Sequence, residues 1–204
     1  MGSKERILRL KENTRRNILD KATCIIQSEG CDALTMRKLA EQIDYTPPMI
    51  YEYFNKKEAI FQELARKGYL KLAQLMEHAG LIQEDAQSQI AAMWKAYWEF
   101  AFSNQSIYQL MYGINVNCCP GTDNIPESDL VQKLMTPVIR SLYPKVSVPE
   151  EEVRMKFYTY WSVIHGLIAL HIIHRGASSA IDHEILYEAI NGITLSIRGE
   201  ILPA

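Results

Sequence analysis

The sequence is short of the signals that make β-sheet. Apolar and polar residues nowhere alternate at every second position over a strand's length, and no Asn-Gly or Asp-Gly pair stands between two such runs to turn a hairpin. A charge excess is missing too. Against 24 Asp and Glu stand 22 Lys and Arg, a formal net charge of −2, which excludes a chain that coats nucleic acid or an anionic membrane by bulk electrostatics. Only four cysteines occur, Cys24, Cys31, Cys118 and Cys119, none in the C-x-x-C spacing of structural zinc sites, and the charged opening residues lack the apolar centre of a secretory signal. A reducing cytoplasm is the expected compartment. The longest apolar run, FYTYWSVIHGLIALHII from Phe157 to Ile173, includes Thr, Ser, Gly and two His and falls short of the roughly 20 apolar residues a bilayer requires; it predicts a buried helix and no membrane partner. Nothing nominates a nucleophile, a general-base pair or a phosphate-binding glycine loop, so no enzyme, no catalytic residue and no cofactor is expected.

What is present is apolar sequence at helical spacing. Hydrophobic residues make up 48% of the 204, enough to bury a real core, and they recur at intervals of three and four throughout. The expectation is an all-α chain of about nine helices. Asn13–Glu29 places Ile18, Ala22, Ile25 and Ile26 on one face and stops at Gly30, a suitable residue to follow a helix. Thr35 is a candidate N-cap for a short helix with Met36, Leu39, Ala40 and Ile43 on one side. Asp44 and Tyr45 then make a tight turn, and Thr46 caps a third helix. That helix opens with two prolines, which the first turn tolerates because it has no i−4 carbonyl to clash with and its N–H groups would lack intrahelical partners anyway. A fourth helix is predicted from Lys57 to Ala79, ended by Gly80. Further helices fall at about 85–103, 107–112, 127–142, 150–175 and 182–200, with 113–126 read as a loop.

Three short helices with a tight turn between the second and third form the pattern of a helix-turn-helix, whose second member enters the major groove and reads bases from its N-terminal end. Pro47, Pro48 and Met49 would be apolar, low-entropy contacts suited to a thymine methyl. Tyr51 and Tyr53 can donate hydroxyls to phosphate, and Lys57 adds a cation. In residues 1–60, 11 cationic side chains face 9 anionic ones, and the basic character sits in KERILRLKENTRR, read either as an arm entering the minor groove or as a solvated, frayed helix start. Phe54, Ile50 and Leu39 read as core.

At these residues the sequence resembles the TetR family of bacterial transcriptional repressors. The resemblance spans Ile18 to about Leu64 and rests on LTMRKLAEQI (Leu34–Ile43) and IYEYFNKKEAI (Ile50–Ile60), with Asp44 where the turn residue is usually glycine and Glu52 beside Tyr51. It implies that Thr35 and Arg37 touch the backbone or a guanine, that Thr46, Pro47, Pro48 and Met49 face the bases, and that Tyr51, Tyr53 and Lys57 hold phosphates of a double-stranded operator. It also implies a DNA-binding domain over residues 1–56 with a basic N-terminal arm. Residues 57–204 would then form a helical domain that binds a small effector and dimerises through its last two helices, ligand altering the separation of two reading heads. WSVIHG (Trp161, His165, Gly166) resembles a short feature of one branch of the family's C-terminal domains.

The residues add independent support. A helix apolar nearly all round, such as Phe157–Ile173, needs cover on both sides, and a partner subunit is the economical cover. Trp94, Tyr97, Trp98, Tyr108, Met111, Tyr112, Phe157, Trp161 and His165 are the candidate lining for an apolar or aromatic effector, although such a stripe is more often plain core. An alternative function is a thiol-based regulator that uses Cys118 and Cys119 to sense oxidants. His171 and His174 share a helical face without a metal motif, so no metal site is predicted.

Overall fold

The computed structural model describes residues 3–114, 125–145, 147–174, 176 and 179–199. Among them are nine α-helices and no strand: α1 Ser3–Glu29, α2 Met36–Gln42, α3 Pro47–Tyr51, α4 Lys57–Leu81, α5 Ala86–Ser103, α6 Gln105–Tyr112, α7 Leu130–Ser141, α8 Glu150–Ile172 and α9 Ser179–Arg198. The chain packs as two units, Met1–Gly68 with Ser106–Ile125, and Tyr69–Gln105 with Pro126–Ala204. The division falls inside α4, between Gly68 and Tyr69, whereas the sequence suggests a single boundary at 56/57.

In the first unit the apolar stripe of α1 (Ile18, Leu19, Ala22, Ile25, Ile26) packs with Leu39 and Ala40 of α2, Ile50 of α3 and Ile60, Phe61 and Leu64 of α4 into one core. Gly30 ends α1 with φ +85°, a conformation that costs glycine nothing. Thr35 caps α2 through its hydroxyl, which accepts from the Lys38 N–H at 3.1 Å. Of the two readings of the basic opening segment, an arm or a helix start, the chain has the helix start. KERILRLKENTRR is the opening of one continuous helix, since its Lys, Arg, Leu and Glu are strong helix formers and neither Gly nor Pro interrupts it before Gly30.

An ionic cluster ties α1 to α4. Arg15 Nη1 donates to Glu63 Oε1 at 2.9 Å, and Arg66 grips both Glu63 oxygens at 2.9 Å. The Arg15 guanidinium also lies 4.9 Å from the centre of the Phe54 ring. Hydrogen bonds from Arg66 and then Arg15 hold the Glu63 carboxyl down at about 2 despite its partial burial.

The second unit has an aromatic interior. Asp85 caps α5 by accepting from the N–H groups of Gln87 and Ser88, each at 2.9 Å. From α5, Ile90, Trp94, Tyr97 and Ala101 are buried, as are Met135 and Ile139 of α7, Val153, Tyr160, Ile164 and Ile168 of α8, and Leu186 and Ile190 of α9. Gly80 does not end α4, as expected; it lies within the helix, where a Cβ would stand 3.0 Å from Cγ and Sδ of Met93. Its smallness serves the close approach of α4 to α5. The 3-10 turn Pro126–Asp129 precedes α7, and α8 and α9 are bounded by Ile172 and Ser179.

Because the Glu63 carboxyl is depressed in the folded protein, its contribution to stability is complete above about 4.5 and is lost as pH falls towards about 2. Glu63→Gln should lower the unfolding free energy at pH 7 by about 1–2 kcal/mol. Thermal melts between pH 7 and 3 should show the gap between wild type and variant closing as the medium acidifies.

Candidate nucleic-acid interface and candidate ligand site

The turn between α2 and α3 is built from backbone bonds. The Tyr45 N–H donates to the Ala40 carbonyl at 2.9 Å and Asp44 N–H points to the Glu41 carbonyl at 3.5 Å, the paired closure of a Schellman end. This places Asp44 at φ +56°, where glycine is usual; aspartate adopts that conformation more readily than most residues. Thr46 then starts α3 by its backbone only. With prolines at the first two helical positions, the Met49 N–H is the first donor available, and the Thr46 carbonyl takes it at 3.0 Å. The Thr46 hydroxyl makes no capping bond, a departure from the expected side-chain cap.

Only Ile50 of the five residues in α3 is buried. Pro48 and Tyr51 are exposed, Pro47 and Met49 half-buried, and Thr46 exposed. Tyr53 is half-buried against the core of the unit, and Lys57 holds its Nζ 5.6 Å from the centre of the Phe61 ring. Thr35 and Arg37 are exposed; the Thr35 hydroxyl is engaged as a cap, and Arg37 Nε donates to Glu41 at 2.9 Å. Glu52 is exposed as well. Leading edge, two tyrosines and one lysine thus lie within twelve consecutive residues, all held by the Ile50 and Phe54 anchors.

The residues predicted for a ligand divide between the two units. Tyr108, Met111 and Tyr112 belong to the first, with the two tyrosine rings 4.8 Å apart. Trp94, Tyr97, Trp98, Phe157, Trp161 and His165 belong to the second. There Trp94 stacks on Phe157 and Tyr160 with ring centres 6.1 and 5.7 Å away and meets the edge of Tyr97 at 5.5 Å. Trp161 Nε1 donates to the Tyr97 hydroxyl at 3.0 Å, the hydroxyl lies 3.4 Å from His165 Nδ1, and the indole stacks on the imidazole at 4.9 Å. Burial pushes His165 below its ordinary value, so the ring is neutral at pH 7. Trp94, fully buried, has no acceptor for its Nε1 proton among the described residues. Trp98 is part of a separate groove of about 340 Å³ between α5 and α9, next to His183, Leu186 and Ile190.

Sequence reasoning missed two polar pairs. The Thr194 hydroxyl donates to the Ile190 carbonyl at 2.7 Å and so accepts from Tyr160, also at 2.7 Å; burial pushes the Tyr160 phenol up to about 12. Asp182, fully buried, places Oδ2 2.8 Å from His171 Nδ1. A Thr at helical spacing within the apolar stripe of α9 was the visible signal for the first, but nothing marked its partner. Among the described residues no group of three or more His, Cys, Asp or Glu could hold a metal ion. No described helix is long and apolar enough to cross a membrane. Cys24 is exposed and free, whereas Cys31 is buried and disulfide-bonded; Cys118 and Cys119 lie outside the described residues.

A short helix anchored from beneath after a Schellman turn defines a helix-turn-helix protein. The profile of bacterial regulatory proteins of the tetR family matches residues 18–64, and that of the tetracyclin repressor-like C-terminal domain matches 90–190; the chain belongs to the TetR family. YobS of Bacillus subtilis, an uncharacterized HTH-type transcriptional regulator, is 29% identical over 96 residues, 47% of this chain and 50% of its own length. The HTH-type transcriptional repressor Rv1474c of Mycobacterium tuberculosis is 35% identical over 68 residues, 33% of this chain and 36% of its own. The chain therefore spans half the length of the first of these relatives and about a third of the second. A TetR/AcrR-family regulator from Thermobifida fusca shares the fold with a TM-score of 0.67 at 17% identity, covering 88% of this chain and 98% of that one.

If the left-handed turn at Asp44 is tolerated only because of its short polar side chain, Asp44→Val should cost about 1–2 kcal/mol. Asp44→Asn and Asp44→Gly should stay within about 0.5 kcal/mol of wild type. Chemical denaturation of the three variants tests the order.

Proposed function

We propose that this chain is a homodimeric, ligand-responsive transcriptional repressor of the cytoplasm that binds a pseudo-palindromic DNA operator and is released by a small apolar or aromatic effector. The observation that carries the reading is α3: Ile50 is buried while Thr46, Pro48 and Tyr51 stand in solvent. Pro47, Pro48 and Met49 meet base edges. Tyr51, Tyr53 and Lys57 take phosphates, with Thr35 and Arg37 reaching the backbone from α2. The repressor names carried by TetR-family relatives support the same direction of control.

Dimerisation through α8 and α9 is supported by apolar residues left in solvent on both helices. Met155, Val163 and Leu170 are exposed on α8, Ile173 just past its end, and Ile181 and Ile185 on α9. On α8 they follow spacings of eight and seven with Gly166 among them, and a Cβ at Gly166 would meet nothing within 4 Å. A monomer rarely leaves such a stripe uncovered. The effector reading is supported by the second unit, where stacked rings surround the unpartnered Trp94 N–H. A planar, uncharged molecule that presents an acceptor to that donor fits a site in which burial keeps the His165 ring neutral.

The experiment is a mobility-shift titration of the full chain on the DNA immediately upstream of its own gene. Specific, salt-sensitive binding is expected, and its absence on every fragment at low salt overturns the reading. Tyr51→Phe and Lys57→Ala should weaken all sequences alike, whereas Met49→Ala should change preference among them. Leu170→Asp should convert the dimer to a monomer in light scattering; a variant that stays dimeric refutes the α8 and α9 face.

A second reading, a thiol-based redox-sensing regulator, is favoured by one observation: Cys31, inside the core of the head, is disulfide-bonded. The sequence also holds Cys118 and Cys119, which lie outside the described residues. Replacing both by Ser should abolish any response of DNA binding to hydroperoxide if this reading holds, and should leave that response intact if it does not.

A further inference from the structure

The groove between α5 and α9 belongs neither to the aromatic interior around Trp94 nor to the apolar stripe offered to a second subunit. Gln87, in the first turn of α5, receives Arg198 Nη1 from the last turn of α9 at 2.6 Å. Trp98, towards the end of α5, stands edge-on to His183, near the start of α9, with ring centres 5.6 Å apart. The two helices are therefore antiparallel and joined at both ends of a stretch about 16 Å long. Between these joints they stay apart. On the α5 face that runs through Gln87, Ala91, Lys95 and Trp98 at helical spacing, Ala91 adds only a methyl group and Lys95 carries its ammonium into solvent. The result is a cavity of about 340 Å³, inside the range in which small-molecule sites fall.

Its lining selects what can enter. Trp98, Leu186 and Ile190 are buried beneath it and form an apolar floor, and Tyr187, 70% exposed, stands at its rim. Lys95 and Glu99, which also line it, face each other at 3.7 Å one helical turn apart, so their charges cancel. An ionic ligand would give up its hydration there without meeting an excess of countercharge, a cost that an uncharged ring does not carry. Asn191 supplies the amide that a hydroxyl or carbonyl on such a ring can meet. The two joints bound the groove along the helices and leave no room for an extended peptide or a partner helix. On α9, Tyr187 lies about 200° round the helix from Ile185, away from the stripe of Ile181 and Ile185, so a second copy seated on that stripe leaves the groove open.

The geometry points to a second small-molecule site: the groove between α5 and α9 binds an uncharged aromatic molecule of one or two rings, its rings between Ala91 and Ile190 over Trp98 and its polar group on Asn191. This goes beyond the effector reading above, because neither Trp94 nor Tyr97, Phe157 or Tyr160 around it lines the groove.

The test is a calorimetric titration of the full chain at pH 7 with three probes that share one ring system: 2-naphthol, which is uncharged, the anion 2-naphthoate and the cation 2-naphthylmethylammonium. 2-Naphthol should bind at least about tenfold more tightly than either ion. Ala91→Leu fills the groove from α5 with a good helix former and should weaken 2-naphthol by at least about tenfold. Tyr187→Ala removes an exposed side chain that the fold does not need and should weaken it severalfold, so the site stays testable if the first variant fails to fold. No binding of 2-naphthol, equal or tighter binding of either ion, or an affinity that neither variant changes overturns the proposal. Binding kept in Ala91→Leu and lost in Trp94→Phe assigns the probe to the aromatic interior and overturns the groove as well. If Ala91→Leu or Tyr187→Ala turns the dimer into a monomer in light scattering, a second copy covers the groove and the proposal fails. No DNA enters the titration, so each of these failures leaves the regulator reading in place.

Discussion

Burial of a single side chain decides whether the head has a reading edge. Five residues are far too few for a helix to stand alone in water, where about 12–15 are needed even for favourable sequences. The helix α3 persists because Ile50 inserts into the core formed by α1, α2 and α4, a burial that contributes about 1.5–3 kcal/mol, and because its carbonyl receives the N–H groups of Tyr53 and Phe54 at 3.0 Å. The prolines cooperate with this anchor: they fix the first turn before folding and spend none of its hydrogen bonds. Everything that faces outward from α3 does so because Ile50 faces inward.

The second unit solves a different problem. Its interior is crowded with rings that carry polar atoms, and each polar atom needs a partner out of water. Thr194 relays the Tyr160 hydroxyl to the backbone of α9, and Tyr97 receives Trp161. Trp94 Nε1 departs from this pattern, a buried donor with no acceptor among the described residues.

Much of the head was legible in the sequence because its signals are local. Gly30, Thr35 and the proline pair each act through one or two turns of backbone, and each stands where its chemistry requires. Residues whose role depends on a distant element were not legible. Gly80 reads as a helix stop in one dimension, but Met93 explains it in three. Thr194 and Asp182 look like ordinary helix residues until Tyr160 and His171 come to face them. The opening basic segment left an arm and a helix start both open in one dimension, and its composition of Lys, Arg, Leu and Glu is what favours the continuation of α1. The aromatic set was gathered by residue type, and packing divides it between the two units.

The central claim is that α3, held by Ile50, is the surface that meets duplex DNA. Amide hydrogen exchange of the full chain, with and without the DNA upstream of its gene, measures this most directly. The account predicts that residues 46–57 gain the strongest protection on binding, while the apolar interior of α8 keeps its free-state rate. Protection that appears elsewhere and leaves 46–57 exchanging as in the free protein would contradict it.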